Sequence, residues 1–187
     1  VADFTLTPTA LLGADVTIGA NRITERADLA LVSVAAPLGG DAALAGALSS
    51  GWGLEMPTPT RASLSGEMRA VQLTADQLLL VFPHSAPDAE PTVQAKLQGA
   101  GYTTDQTDAW LRVEISGPDT RAALERICPI DLGAQAFAPG AAARTVMEHM
   151  GTVIVALEPD RYLLLSASST AGSFLHALET SLRNVTS

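Results

Sequence analysis

Cys128 is the one residue of this 187-residue sequence that could act as a sulfur nucleophile. A thiol reacts as its thiolate, which needs a neighbouring base or a helix N-terminus to lower its pKa. The spacing here predicts the opposite. Ala123, Leu124, Ile127 and Cys128 recur at helical intervals and Pro129 ends the run, so the thiol is expected at a helix C-terminus, where the dipole raises its pKa. A buried small hydrophobe is the expected role. His84, His149 and His176 are far apart, and none has a second His, Cys or Glu at ligand spacing, so no metal site is expected. His84 follows a strand end at Pro83 and His176 lies off the apolar stripe of the last helix; both read as surface side chains. Asp131 with Arg126 and Arg121 can form a carboxylate–guanidinium pair that pins the turn after the Cys128 helix, a structural role more often than a catalytic one. Gly46 to Gly53 (GALSSGWG) lacks the Lys and Ser/Thr of a phosphate loop and reads as a helix end. Trp52, in a stretch holding Pro57 and Pro59, is either an anchor for a partner or locally packed.

The elements that must position these residues follow from period. Ala27 to Ala35 is a β-branched and leucine run closed by Pro37, Gly39 and Gly40, as a buried strand should be. Asp41 caps a following helix with Leu44, Ala45 and Leu48 on one face, and Gly51 stops it. Trp52 to Ser65 reads as irregular. Met68 to Leu73 and Leu78 to Phe82 flank a hairpin turn at Thr74, Ala75 and Asp76. A helix with Pro91 in its first turn and Val93 and Leu97 on one face ends at Gly99 and Gly101. The order then repeats. Trp110 to Ile115 alternates as a half-buried strand, Pro118 and Asp119 open a helix, and Val153 to Leu157 and Arg161 to Leu165 form a hairpin around Glu158, Pro159 and Asp160. A last helix from about Thr170 carries Phe174, Leu175, Leu178 and Leu182 in a stripe, with Glu179 and Arg183 paired outside.

Both halves thus read strand, helix, strand, strand, helix, and TADQLLLVFPHS at Thr74 matches EPDRYLLLSASS at Glu158. The expected fold is α+β: two tandem ferredoxin-like plaits that share one core in a single compact unit, an internal duplication. The first half covers residues 1–101, including an N-terminal extension, and the second covers residues 102–187.

Composition narrows the function. Apolar residues are 47% and charged residues 17% of the chain, as in a globular protein. Twenty acidic against eleven basic residues give a net charge of −9, which repels nucleic acid and anionic membranes. The longest apolar stretches, Leu29 to Leu38 and Met150 to Leu157, are shorter than the ~18 residues of a membrane span. One cysteine allows no intrachain disulfide, and no charged-then-apolar leader precedes Asp3, so a cytoplasmic location is expected.

The segment RICPIDLGAQAFAPGAAARTVMEHM, Arg126 to Met150, resembles the signature region of the gamma subunit of heterotetrameric sarcosine oxidase. SGPD (Ser116 to Asp119) before it, DRYLLL (Asp160 to Leu165) after it and the closing helix sit where that family has them. At Gly133 and Ala134 the chain departs from the His-Pro of relatives. The resemblance implies a fold related to the folate-binding aminomethyltransferase of the glycine cleavage system. It also implies a place in a complex that demethylates sarcosine to glycine, with tetrahydrofolate as one-carbon acceptor. Partners would be alpha, beta and delta subunits carrying FAD, FMN, NAD and zinc, with no cofactor and no catalytic residue on this chain. Arg126, Cys128, Pro129, Asp131, Phe137, Pro139 and Gly140 are then structural motif residues, and Trp52 is the candidate interface anchor. The competing expectation is a folate or one-carbon binding module, although a pteridine site needs stacking aromatics and a buried carboxylate.

Overall fold

A computed structural model describes residues 9–186; Asp3, on which the leader reading turned, lies outside them. The chain forms two compact units, one of Ala27–Thr58 and Ser63–Thr107, the other of Ala10–Arg26, Pro59–Ala62 and the residues from Asp108 on.

In the first unit, β3 (Leu29–Ala35), α1 (Asp41–Trp52), β5 (Met68–Thr74), β6 (Gln77–Pro83) and α2 (Ala89–Leu97) follow the expected order. Two short strands, β4 (Ser63–Ser65) and β7 (Tyr102–Asp105), border the sheet, whose order is β4-β5-β6-β3-β7 with every pair antiparallel. Val32, Val34, Leu78 and Leu80 of the sheet and Leu44, Leu48, Val93 and Leu97 of the helices share one apolar cluster. The ends of α1 differ from the expected ones. Gly40 is the N-cap and Asp41 the first helical residue, where its charge favours the helix dipole. The helix runs past Gly51 to a left-handed C-cap at Gly53, which satisfies the carbonyls of Leu48 and Ser49.

The second unit repeats the order with β8 (Trp110–Ser116), α3 (Thr120–Glu125), β10 (Met150–Glu158), β11 (Arg161–Ala167) and α4 (Ala171–Arg183). Its remaining strands are β1 (Asp15–Ile18), β2 (Asn21–Glu25) and β9 (Ala142–Met147), giving the order β1-β2-β8-β11-β10-β9. The apolar cluster joins Val113, Ile115, Ile154 and Leu164 to Leu124 of α3 and Phe174, Leu178 and Leu182 of α4. Each unit has its own apolar cluster. The boundary between the units differs from the expected one: β7 pairs with β3, which extends the first unit past residue 101, and β2 pairs with β8, which draws the N-terminal extension into the second. That extension is pinned by Glu25, whose carboxylate accepts the backbone N–H groups of Leu11, Leu12 and Gly13 at 2.5, 2.9 and 2.8 Å.

The two matched hairpins agree in detail. Gln72 pairs with Leu78 and Thr74 with Gln77; Ala156 pairs with Tyr162 and Glu158 with Arg161, so each hairpin carries a register shift one residue before its turn. A bulge increases local twist. The likeness read from TADQ and EPDR is a likeness of backbone.

Candidate functional site

The Arg126 to Met150 segment begins where α3 stops. The expected helix through Cys128 is shorter: it ends at Glu125, and the N–H groups of Ile127 and Cys128 both turn back to the carbonyl of Leu124, at 3.1 and 2.9 Å. A residue before proline avoids helical geometry, so Pro129 moves Cys128 out of the helix. The thiol is nevertheless buried, at 5% exposure. Among the described residues no hydrogen bond joins it to a base.

Leu132 and Phe137 also enter the apolar cluster, and Phe137 stacks on Tyr162 with ring centroids 6.4 Å apart and planes at 28°. The polar motif residues stay outside. Asp131 is exposed and accepts the N–H of Gly133 at 2.8 Å, closing its own turn. Asp131 does not pair with Arg121 as expected; the Arg121 guanidinium lies 3.2 Å from Asp160 and 3.4 Å from the Tyr162 hydroxyl. Pro129 and Pro139 are exposed. Gly140 is buried at φ +85°, donates its N–H to Ala156 at 2.8 Å and accepts that of Ala62 at 3.0 Å. Glycine is favoured there, since a side chain would be strained at that φ.

β9 and β10 are joined by a two-residue turn in which Glu148 and His149 both have positive φ, 46° and 69°. Both residues occupy the conformation that a tight hairpin turn demands, although neither is the usual Asn or Gly. The Glu148 N–H donates to Ile127 at 3.3 Å and brings the turn onto the segment after α3. Two open grooves result, of about 410 and 400 Å³, sharing Arg126, Ile127 and Glu148. His176, Thr180 and Asn184 of α4 line the first; Cys128, Val146 and His149 line the second.

This surface mixes one guanidinium, carboxylates and imidazoles with apolar patches. Such a surface can contact another molecule through charge, hydrogen bonds and apolar area together. Among the described residues no group of three or more His, Cys, Asp or Glu could hold a metal. His176 is exposed as expected. His84 is not a free loop histidine: its Nε2 lies 2.6 Å from Asp88 and its ring meets Phe82 edge-on at 5.7 Å. Trp52 is the last residue of α1 and not part of a loop; half-buried, it packs against the first unit's cluster with the Lys96 ammonium 5.2 Å over its ring.

Electrostatically, the second unit is organised around Glu114. Burial alone would raise its carboxyl, but Arg161 at 2.7 Å and Arg26 at 2.8 Å outweigh that and hold it below the ordinary carboxylate value.

No protein-family model and no curated protein matches this sequence. Solved structures do. A chain of heterotetrameric sarcosine oxidase from Corynebacterium sp. U-96, solved in complex with pyrrole 2-carboxylate, superposes with a TM-score of 0.79 at 21% identity, over 92% of this chain and 89% of that one. Glycine cleavage system aminomethyltransferase T from Bartonella henselae gives 0.56 at 12% identity, over 86% of this chain but 45% of that one. With two antiparallel sheets and four α-helices among the described residues and near end-to-end overlap, the chain has the fold of that sarcosine oxidase chain, and more distantly that of part of the aminomethyltransferase.

Proposed function

We propose that the chain is the non-catalytic gamma subunit of a cytoplasmic, flavin-dependent heterotetrameric sarcosine oxidase. It would support alpha, beta and delta subunits that carry FAD, FMN, NAD and zinc, and that demethylate sarcosine to glycine with tetrahydrofolate as one-carbon acceptor. The observation that carries this reading is the extent of the match: the overlap takes in 89% of one chain of such an enzyme, whereas it takes in 45% of the aminomethyltransferase. The motif segment agrees, since Cys128, Leu132 and Phe137 are spent on the core while Arg126, Glu148 and His149 border open grooves. No helix among the described residues is long and apolar enough to cross a membrane.

The test is co-expression of the tagged chain with the three other subunits. The expected result is a yellow complex of four proteins that oxidises sarcosine, and a tagged chain that is colourless and inactive alone. Flavin bound stoichiometrically by the chain alone would overturn the reading.

The likeness to aminomethyltransferase keeps a second reading, a folate or one-carbon binding module. Aromatic supply gives it little support: Phe82, Phe137, Tyr162 and Phe174 are buried and Trp52 packs on the first unit's cluster, which leaves Tyr102 exposed and Trp110 half-buried. Calorimetric titration with tetrahydrofolate separates the two; a dissociation constant in the low micromolar range, about −8 kcal/mol, would favour the binding module.

A further inference from the structure

The first unit carries an apolar projection that its own fold does not use. Leu38 is fully exposed, at 108% of its reference area, at the tip of the turn between β3 and α1. The residues around it fix the turn. Gly40 donates its N–H to Pro37 at 2.7 Å, Gly39 lies at φ +72°, and a Cβ on Gly40 would come within 2.9 Å of the Pro37 ring and 3.0 Å of its carbonyl oxygen. Pro37, Gly39 and Gly40 are therefore dictated by backbone geometry, whereas the position of Leu38 accepts almost any residue. A leucine at this free position, on a turn already rigid, can enter a pocket with little ordering cost.

Its surroundings define what it would enter. Ala36 donates its N–H to Asp76 at 2.9 Å, which holds the β5–β6 turn beside the Leu38 turn. The dimple between them is lined by Asp41, Met56, Ala75 and Asp76, with Met56 38% exposed, and among the described residues no Lys, Arg or His lines it. The equivalent turn of the second unit is closed by its own chain: Asp119 there is bonded by Asn21 and Thr186.

We propose that Leu38, flanked by Asp41 and the Asp76 turn, is a plug that seats in an apolar socket rimmed by lysine or arginine on a partner protein. Resting on the reading above, that partner is one of the other subunits of the complex. Charge argues against a second copy, because a symmetric contact would oppose Asp41 and Asp76 to themselves on a chain of net charge −9.

The experiment compares wild type, Leu38→Asp, Leu38→Ser and the double variant Asp41→Asn/Asp76→Asn in co-purification with the three other subunits, with sedimentation of each chain alone. Both Leu38 variants are expected to melt like wild type and to assemble at least tenfold more weakly; Asp41→Asn/Asp76→Asn should associate more slowly than wild type, with a flatter salt dependence. Assembly of Leu38→Asp at the wild-type level would overturn the plug and leave the subunit reading intact. Failure of the wild-type chain to assemble would overturn both. Wild-type self-association abolished by Leu38→Ser would assign the plug to a second copy and overturn the partner proposed here.

Discussion

Asn21 and Asp119, 98 positions apart in sequence, hold each other twice: Asn21 Nδ2 donates to the Asp119 carboxylate at 2.9 Å, and the Asp119 N–H donates to Asn21 Oδ1 at 2.9 Å. Asn21 is 1% exposed, and its amide also reaches Ile18 and Thr186. The pair fastens the β1–β2 turn to the start of α3. Asn21→Ala removes both bonds and leaves their partners unmet, so a loss of about 2 to 3 kcal/mol is expected, checked by urea denaturation.

Acid should act through Glu114. Its folded-state pKa lies below the unfolded value, so its contribution to stability is complete above the unfolded value of about 4.3 and disappears as pH falls through the folded pKa. Glu114→Gln should lower stability at pH 7 by about 1 to 2 kcal/mol, because Arg26 and Arg161 lose their charged partner. Melting temperature recorded from pH 7 to 2 should then fall less steeply for the variant than for wild type. Parallel curves would refute this.

Thr120 starts α3 at 0% exposure, and among the described residues its Oγ1 has no hydrogen-bond partner. Valine has nearly the same shape without the unpaired hydroxyl. Thr120→Val should stabilise the chain by about 1 kcal/mol, or roughly 2 to 4 °C in a melting scan. A lower melting temperature would show that the hydroxyl is satisfied in solution.

Within the motif segment, stability should fall at the residues that enter the core or adopt unusual backbone. Gly140→Ala forces a side chain into φ +85° and should cost about 1 to 3 kcal/mol. Phe137→Ala empties a site stacked on Tyr162 and should cost about 3 kcal/mol or more. Arg126→Ala and Pro139→Ala, both on exposed residues, should change melting by much less.

The repeated order of elements was legible because strands such as Leu78 to Phe82 and the α4 stripe through Phe174, Leu178 and Leu182 are apolar at the positions that are buried. β2 was not. Its inward positions are Asn21, Ile23 and Glu25, and two of these three are polar groups buried only because Asp119 and the backbone of Leu11 to Gly13 meet them. No hydropathy pattern reveals such a strand, since its partners lie elsewhere in the chain. β7, Tyr-Thr-Thr-Asp, is an exposed border strand recruited by β3, so it has no apolar face to show. At the site, the spacing of Ala123, Leu124 and Cys128 correctly gave a buried thiol but extended the helix too far, because apolar period does not register where Pro129 diverts the backbone.

The pairing of β2 with β8 also has a consequence in time. The strand that borders β8 is synthesised before the whole first unit, and β8 itself follows it by more than eighty residues. At ordinary translation rates the β1–β2 hairpin waits on the order of 10 s with one edge unpaired, while the first unit can already have folded downstream of it. An unpaired edge invites the wrong strand. The charges of β2 and its neighbour answer that hazard: Arg22 is held by Asp15 within the hairpin, and charged side chains on a waiting edge discourage foreign partners until Glu114 and its strand emerge from the ribosome.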